Sequence, residues 1–299
     1  MDKNTLKTEE RNPNTWNIDC LSTVEIMGRI NEEDKKVAVA VEKEIPHIAQ
    51  AVDLIVTKIR WGGRLIYIGA GSSGRMGVVD AAECPSTYGT DPSLVQALIA
   101  GGTEAIYLPR DGAEDLVQEA IEDLMEIGFN PKDVLLGIAA SGNTPYVCKG
   151  IEYAKNMGAA VVALTCNPES KLSALADISI GPMVGPEVIM GSTRMKAGTA
   201  QKMILNMIST GTMIKLGKVY ENLMVDVWAT NEKLIERCKR MLMLAADVTE
   251  EEAKTLLEET QYRSKLALFM ALTKLPKEKA EEILEHYDGQ IRKALRQNI

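Results

Sequence analysis

Two stretches of the chain combine glycine with hydroxyl side chains in a way that suits an oxyanion. The first is Gly69-Ala70-Gly71-Ser72-Ser73-Gly74-Arg75, between an apolar run and a helical pattern. The second is Ser141-Gly142-Asn143-Thr144-Pro145, set in the same way behind the apolar run 134–140. Backbone N–H groups at a helix start bind phosphate, hydroxyls add donors, and glycine lets the backbone come close. Ser72, Ser73, Ser141 and Thr144 also have a plainer use as helix caps. Two loops of one pattern in one chain favour a sugar phosphate held between them. Arg75 is the cation nearest the first loop. A third run, Ser192-Thr193-Arg194, opens another predicted helix, with Lys196 close behind. These cations could equally be solvated or interface residues.

The first loop also reads as G-x-G-x-x-G after a strand and before a helix, the dinucleotide fingerprint. That reading needs an acid at the end of the second strand to hold the ribose hydroxyls. The second strand-like run ends Ala97-Leu98-Ile99-Ala100-Gly101-Gly102, with no acid. About sixty residues of arm and helix also precede the fingerprint, which normally sits in the first βα unit. A nicotinamide cofactor is therefore not expected. The two histidines, His47 and His286, lack metal-ligand spacing, so no His-based metal site is expected either.

The elements that must position these loops alternate along the chain. Strand-like runs at 64–69, 95–100, 134–140, 159–165 and 177–181 are mostly separated by helical segments. That order predicts an α/β fold: a doubly wound parallel sheet in three αβα layers. The first fifteen residues or so are polar and unperiodic and read as an arm. Helical spacing covers 19–29 and 32–60, with a helix start at Asn31 before Glu32, Glu33 and Asp34, and a break at Pro46. Residues 185–217 begin as a loop and become a Met-rich helix suited to a core or a subunit interface. From about residue 240 the composition turns to dense Glu and Lys with short amphipathic helices. A capping box at Thr249–Glu252 and a proline at the first helical position, Pro276, mark two of them. The expected division is a phosphosugar-binding domain over 1–240 and a small all-helical domain over 241–299.

Composition narrows the function classes. The net charge of −8 argues against general nucleic-acid or anionic-membrane binding, and 4% aromatics leave few stacking surfaces. No N-terminal apolar segment or run of transmembrane length is present. Five scattered cysteines without CxxC spacing fit a reducing compartment, so a cytoplasmic chain is expected.

The loops "GAGSSGR" and "SGNTP" resemble the sugar-isomerase (SIS) domain, a doubly wound fold that binds phosphosugars. The longer runs "GAGSSGRMGVVDAAECPSTYG" (69–89), "DGAED" (111–115), "VGPEVIMGSTRMKAGTAQKMILNMIST" (184–210) and "GKVYENLMVDVWATNEKL" (217–234) narrow the resemblance. With "KTEERNP" (7–13) and "STVEIMGRINEEDKKV" (22–37), they are similar to the N-acetylmuramic acid 6-phosphate etherase family over nearly the whole chain.

The resemblance implies elimination of D-lactate from C3 of the open-chain sugar phosphate, then addition of water. It implies no cofactor and no metal. It places the general acid toward departing lactate at Glu83, in "AAECP", and the base at C2 at Glu114, in "GAED". Two carboxyls suffice if their surroundings hold them in different protonation states. Glu83 ends an apolar helical run, where desolvation would favour the neutral acid. Glu114 is expected at a helix start, where the dipole favours the carboxylate. Gly71, Ser72, Ser73, Arg75, Ser141, Gly142, Asn143, Thr144, Ser192, Thr193 and Arg194 are the expected substrate contacts. The arm residues Glu9, Glu10, Arg11 and Asn12 are candidates to fold over a pocket.

Two other functions share this fold. An aldose–ketose isomerase would remove the same C2 proton but keep the C3 substituent. A sugar-phosphate-sensing regulator would bind without turnover; its transcriptional form would add a basic recognition helix, which the short acidic N-terminal segment does not offer. The expected assembly is a homodimer, because SIS-type sites often lie at subunit interfaces. The expected partner is a small phosphosugar, with no nucleic acid and no membrane.

Overall fold

The computed structural model describes residues 6–227 and 232–298; residues 1–5 of the arm and 228–231 of the 217–234 run lie outside the described residues. The five apolar runs become β1 (Leu65–Gly69), β2 (Val95–Ile99), β3 (Val134–Ile138), β4 (Ala160–Leu164) and β5 (Ile178–Ile180). They pair in parallel in the order β2-β1-β3-β4-β5, with Leu65 opposite both Val95 and Val134. Every residue of β1 and β3 is buried. A sheet covered on both faces has no polar side, so its strands read as unbroken apolar runs.

Helices supply the two outer layers: α1 (Thr23–Glu42), α2 (Ile45–Arg60), α3 (Gly71–Tyr88), α4 (Glu104–Tyr107), α5 (Val117–Glu126), α6 (Pro145–Asn156), α7 (Lys171–Leu175) and α8 (Lys196–Lys215). Ile66, Ile68 and Leu135 share one apolar cluster with Ala120 and Leu124 of α5 and Val147 and Ile151 of α6. Tyr67 faces the other way and donates its hydroxyl to Asp80 of α3 at 2.8 Å. Asp80 also accepts from Asn206 and Ser209 of α8 at 2.6 and 3.0 Å. This is the three-layer, doubly wound arrangement expected from the alternation.

The break at Pro46 is present. Pro46 lies in the first turn of α2, where its missing N–H would have had no helical acceptor. The helix start expected at Asn31 is not there. Ser22 and Glu25 close a capping box, so α1 begins at Thr23 and runs through Asn31.

The chain forms two compact units. The first contains the residues up to Ala82 together with Ser93–Ser209; the second contains Glu83–Pro92 and the residues from Thr210 onward. The second unit holds a short hairpin, β6 (Val219–Tyr220) and β7 (Leu223–Met224), and α9 (Glu232–Ala246), α10 (Glu250–Glu259), α11 (Ser264–Thr273), α12 (Lys277–His286) and α13 (Ile291–Asn298). Helix α9 passes residue 240 without a break. Leu266 through Ala271 of α11 are all buried in the core of this unit. So α11 is a central apolar helix, while α9, α10 and α12 turn one face toward it and one to solvent. The Thr249–Glu252 capping box forms as expected; Pro276 is the cap residue of α12 and not its first helical residue.

Candidate functional site

The strand order reverses between β1 and β3, since β2 lies on one side of β1 and β3, β4 and β5 follow on the other. At such a switch point the loops leaving adjacent strands part toward opposite faces and open a crevice at their carboxyl ends. The two loops concerned are the hydroxyl-bearing ones, 69–75 entering α3 and 139–144 entering α6.

A cavity of about 220 Å³ lies against the first loop. Ala70, Gly71, Arg75, Ala100, Ala105 and residues 109–114 line it. Of the expected site residues, it brings together Gly71, Arg75 and Glu114. The Arg75 Nε and Nη2 donate to the carbonyls of Ile106 and Ala105 at 2.9 and 2.7 Å, which holds the half-buried guanidinium at the C-terminal end of α4. Glu114 is exposed and sits in a single 3₁₀ turn, Ala113–Asp115, entered through Gly112 in the left-handed region. It precedes α5, so the expected place in the first turn of an α-helix is not found.

Arg110, which the sequence patterns did not single out, lines the same cavity. Its Nη1 donates to the Gly101 carbonyl at 3.1 Å. Gly101 has φ +86°, and a Cβ there would stand 2.8 Å from Arg110 Cδ. Glycine at this turn therefore gives the arginine stem its place.

The second loop is tightly built. Ser141 Oγ accepts from the Asn143 N–H at 3.2 Å, and Asn143 Oδ1 accepts from the Lys171 N–H at the start of α7 at 3.2 Å. Gly142 has φ +71°, and a Cβ there would fall 2.1 Å from Ser170 Oγ and 2.6 Å from Thr165 Oγ1. Thr144 is the N-cap residue of α6 but makes no side-chain cap hydrogen bond. Its hydroxyl is thus not used in the way the capping alternative requires. Ser73 is buried, with its Oγ donating to Gln201 Oε1 of α8 at 3.1 Å, while Ser72 is half-buried.

The start of α8 differs from the expected anion seat. Glu187 is fully buried and accepts from the Lys196 and Ala197 N–H groups, both at 2.9 Å. Burial pushes the Glu187 carboxyl up from the usual range, against the opposing pull of these two N–H groups and Lys196. The helix N-terminus is therefore filled by the chain's own acid. Lys196 itself is buried and pairs with Glu33 of α1 at 2.8 Å. Ser192 and Thr193 are half-buried and Arg194 exposed just ahead of this start.

Glu83 belongs to the second compact unit and is exposed near the C-terminal end of α3. Its exposure leaves it without the desolvation expected from the apolar run around it. The described part of the arm runs elsewhere than over the cavity. The Lys7 N–H reaches Asn167 Oδ1 at 3.0 Å, Asn12 Nδ2 reaches the Pro186 carbonyl at 3.2 Å and Thr15 Oγ1 the Val188 carbonyl at 2.8 Å. Among the described residues, none of the arm lines the 220 Å³ cavity. A larger hollow of about 650 Å³ lies in the helical unit around Lys218, Asp226 and Lys265, but none of the expected site residues lines it. Size alone does not mark the site.

Residues 47–155 match the family described as glucokinase regulatory protein N-terminal SIS domain, and residues 116–210 match the SIS domain. Among solved structures, a candidate phosphosugar isomerase involved in capsule formation from Bacteroides fragilis is similar in fold. It has a TM-score of 0.51 at 23% identity, covering 67% of this chain and 95% of that one. Much more similar in sequence is an N-acetylmuramic acid 6-phosphate etherase of Clostridium botulinum (strain Loch Maree / Type A3), 57% identical over 98% of this chain and 97% of its own. Relatives of the same name from Caldanaerobacter subterraneus and Clostridium beijerinckii are 55% and 56% identical, over 97% and 98% of this chain and 95% and 96% of theirs. The chain belongs to the N-acetylmuramic acid 6-phosphate etherase family.

Proposed function

We propose that this chain cleaves the D-lactyl ether of N-acetylmuramic acid 6-phosphate, giving N-acetylglucosamine 6-phosphate and D-lactate, in amino-sugar catabolism and cell-wall recycling. The observation that carries the reading is the near full-length similarity to relatives of that name. The placement of Glu114 beside Arg75 and Gly71 in one cavity supports it.

In the open-chain aldehyde the C1 carbonyl acidifies the C2 proton. Glu114 as base removes it to leave an enolate, whose electron pair then forms the C2–C3 double bond as the C3–O bond breaks. Glu83 as acid protonates the departing lactate oxygen. Water then adds at C3 while C2 takes a proton back, so the sugar regains its hydroxyl and no electrons are exchanged with any redox partner. The 141–144 loop suits the phosphate, because its backbone is held rigid and its Thr144 hydroxyl is not a cap. We also read the chain as a homodimer working in the cytoplasm, a compartment in which its five scattered cysteines stay reduced.

Incubation of the purified chain with N-acetylmuramic acid 6-phosphate should release D-lactate, measured enzymatically, with solvent oxygen appearing in the C3 hydroxyl. An isomerase would convert a phosphosugar without releasing lactate, and a sensor would bind without turnover. Absence of lactate overturns the proposal.

A further inference from the structure

We infer that Arg110, with Arg75 beside it, binds the lactyl carboxylate of the substrate. This assignment rests on the reaction proposed above. The 220 Å³ cavity is smaller than the roughly 300 Å³ at which pockets begin to enclose a whole drug-sized ligand, so it takes a part of the substrate. Which part follows from Glu114, which lines the same cavity. A base acting at C2 brings C2 to the cavity mouth. The lactyl carboxylate is separated from C2 only by C3, the ether oxygen and the lactyl α-carbon. The phosphate lies beyond C3, C4, C5, C6 and O6. The anion that reaches a cation in Glu114's own cavity is therefore the carboxylate.

The two guanidiniums suit that anion. Arg110 makes a single hydrogen bond among the described residues, to the Gly101 carbonyl, and Arg75 is held by two carbonyls. Both are fixed by neutral acceptors, and neither pairs with a carboxylate among the described residues. Their remaining N–H donors keep the planar fork that matches a carboxylate. Gly71, at the N-terminal end of the eighteen-residue helix α3, adds the positive end of its dipole to the same cavity. The assignment also has a use in the reaction. As the C3–O bond breaks, negative charge gathers on an oxygen one carbon from the carboxylate, and a fixed guanidinium offsets both charges.

The test compares Arg110→Gln and Arg110→Lys with the wild type on two ligands. N-acetylmuramic acid 6-phosphate carries both anions; N-acetylglucosamine 6-phosphate carries the phosphate alone. Arg110→Gln is expected to lower kcat/KM for the first by about 10- to 100-fold, the loss of one charge-assisted contact. The Kd of the second, measured by calorimetry, is expected to stay within about twofold, since losses confined to one group spare ligands that lack it. Arg110→Lys should restore part of the activity, keeping the charge without the fork. Unchanged binding of N-acetylglucosamine 6-phosphate also reports that the variant folds. Equal weakening of both ligands would mean that Arg110 holds the phosphate, and no change in either would mean that it touches neither anion; both outcomes overturn the assignment. Failure of the reaction itself is read separately, from the wild type releasing no lactate.

Discussion

A group that removes a C–H proton acts before the bond to the leaving group is broken, and a group that protonates the leaving oxygen acts during or after it. This order separates the roles proposed for Glu114 and Glu83. With substrate in deuterated water, Glu114→Gln should lose both exchange at C2 and lactate release, by about 10²- to 10⁴-fold as for removal of a general base. Glu83→Gln should lose lactate release to a similar degree while C2 exchange, followed by NMR, continues. Loss of exchange in the Glu83 variant alone would reverse the two assignments. At this scale the hydroxyl loops were legible because Gly, Ser, Asn and Thr carry their uses in their chemistry. Arg110 was not, since an arginine in a polar loop reads as solvated until the fold lays its stem over Gly101.

Helix α1 is fastened to α8 through Lys196 and Glu33, both buried. Burial pushes the Glu33 carboxyl up, but hydrogen bonds from Lys196, Lys36, Asn14 and Asn12 outweigh it and hold it down to about 2. A carboxyl depressed in the folded state adds stability above its unfolded value of 4.5, and that contribution is lost as pH falls toward 2. The stability difference between wild type and Glu33→Gln, from urea titrations, should therefore be constant above pH 4.5 and shrink below it. Lys196→Met should cost up to about 3 kcal/mol at neutral pH, because it takes from a buried carboxylate its buried cation and leaves only Lys36 and the two asparagines, and Lys196→Met with Glu33→Met should recover most of that loss. No recovery in the double variant would refute the pairing as the cause.

The same scale explains why the first loop mimics a dinucleotide site. A Cβ on Gly74 would stand 2.9 Å from the Gly69 carbonyl oxygen and 2.6 Å from Ile99 Cγ1. The last glycine thus serves close packing of helix on strand, a need shared by any such βα turn, whatever the ligand.

Across the whole molecule, two cores formed from one composition gradient. The helical unit organises around α11, whose run Leu266–Ala271 is buried throughout, and the αβα unit around β1 and β3. Met207 and Ile214 of α8 remain exposed, seven positions apart and hence on one helix face. Apolar side chains grouped on a surface helix suit an interface. Light scattering after size exclusion should give twice the chain mass for the wild type and the single-chain mass for Ile214→Glu; a monomeric wild type would remove the dimer from the reading. The sequence by itself determined the order of strands and helices, the break at Pro46 and the two loops of glycine and hydroxyl residues between strand and helix, because these follow from periodicity and local backbone chemistry. The tertiary structure alone decided that α8's N-terminus is filled by Glu187 and that Arg75, Arg110 and Glu114 share a cavity. The shared cavity joins Arg75 to residues 35 and 39 positions further along the chain, and the parallel pairing of β1 with β2 brings the loops after these strands to the same edge of the sheet.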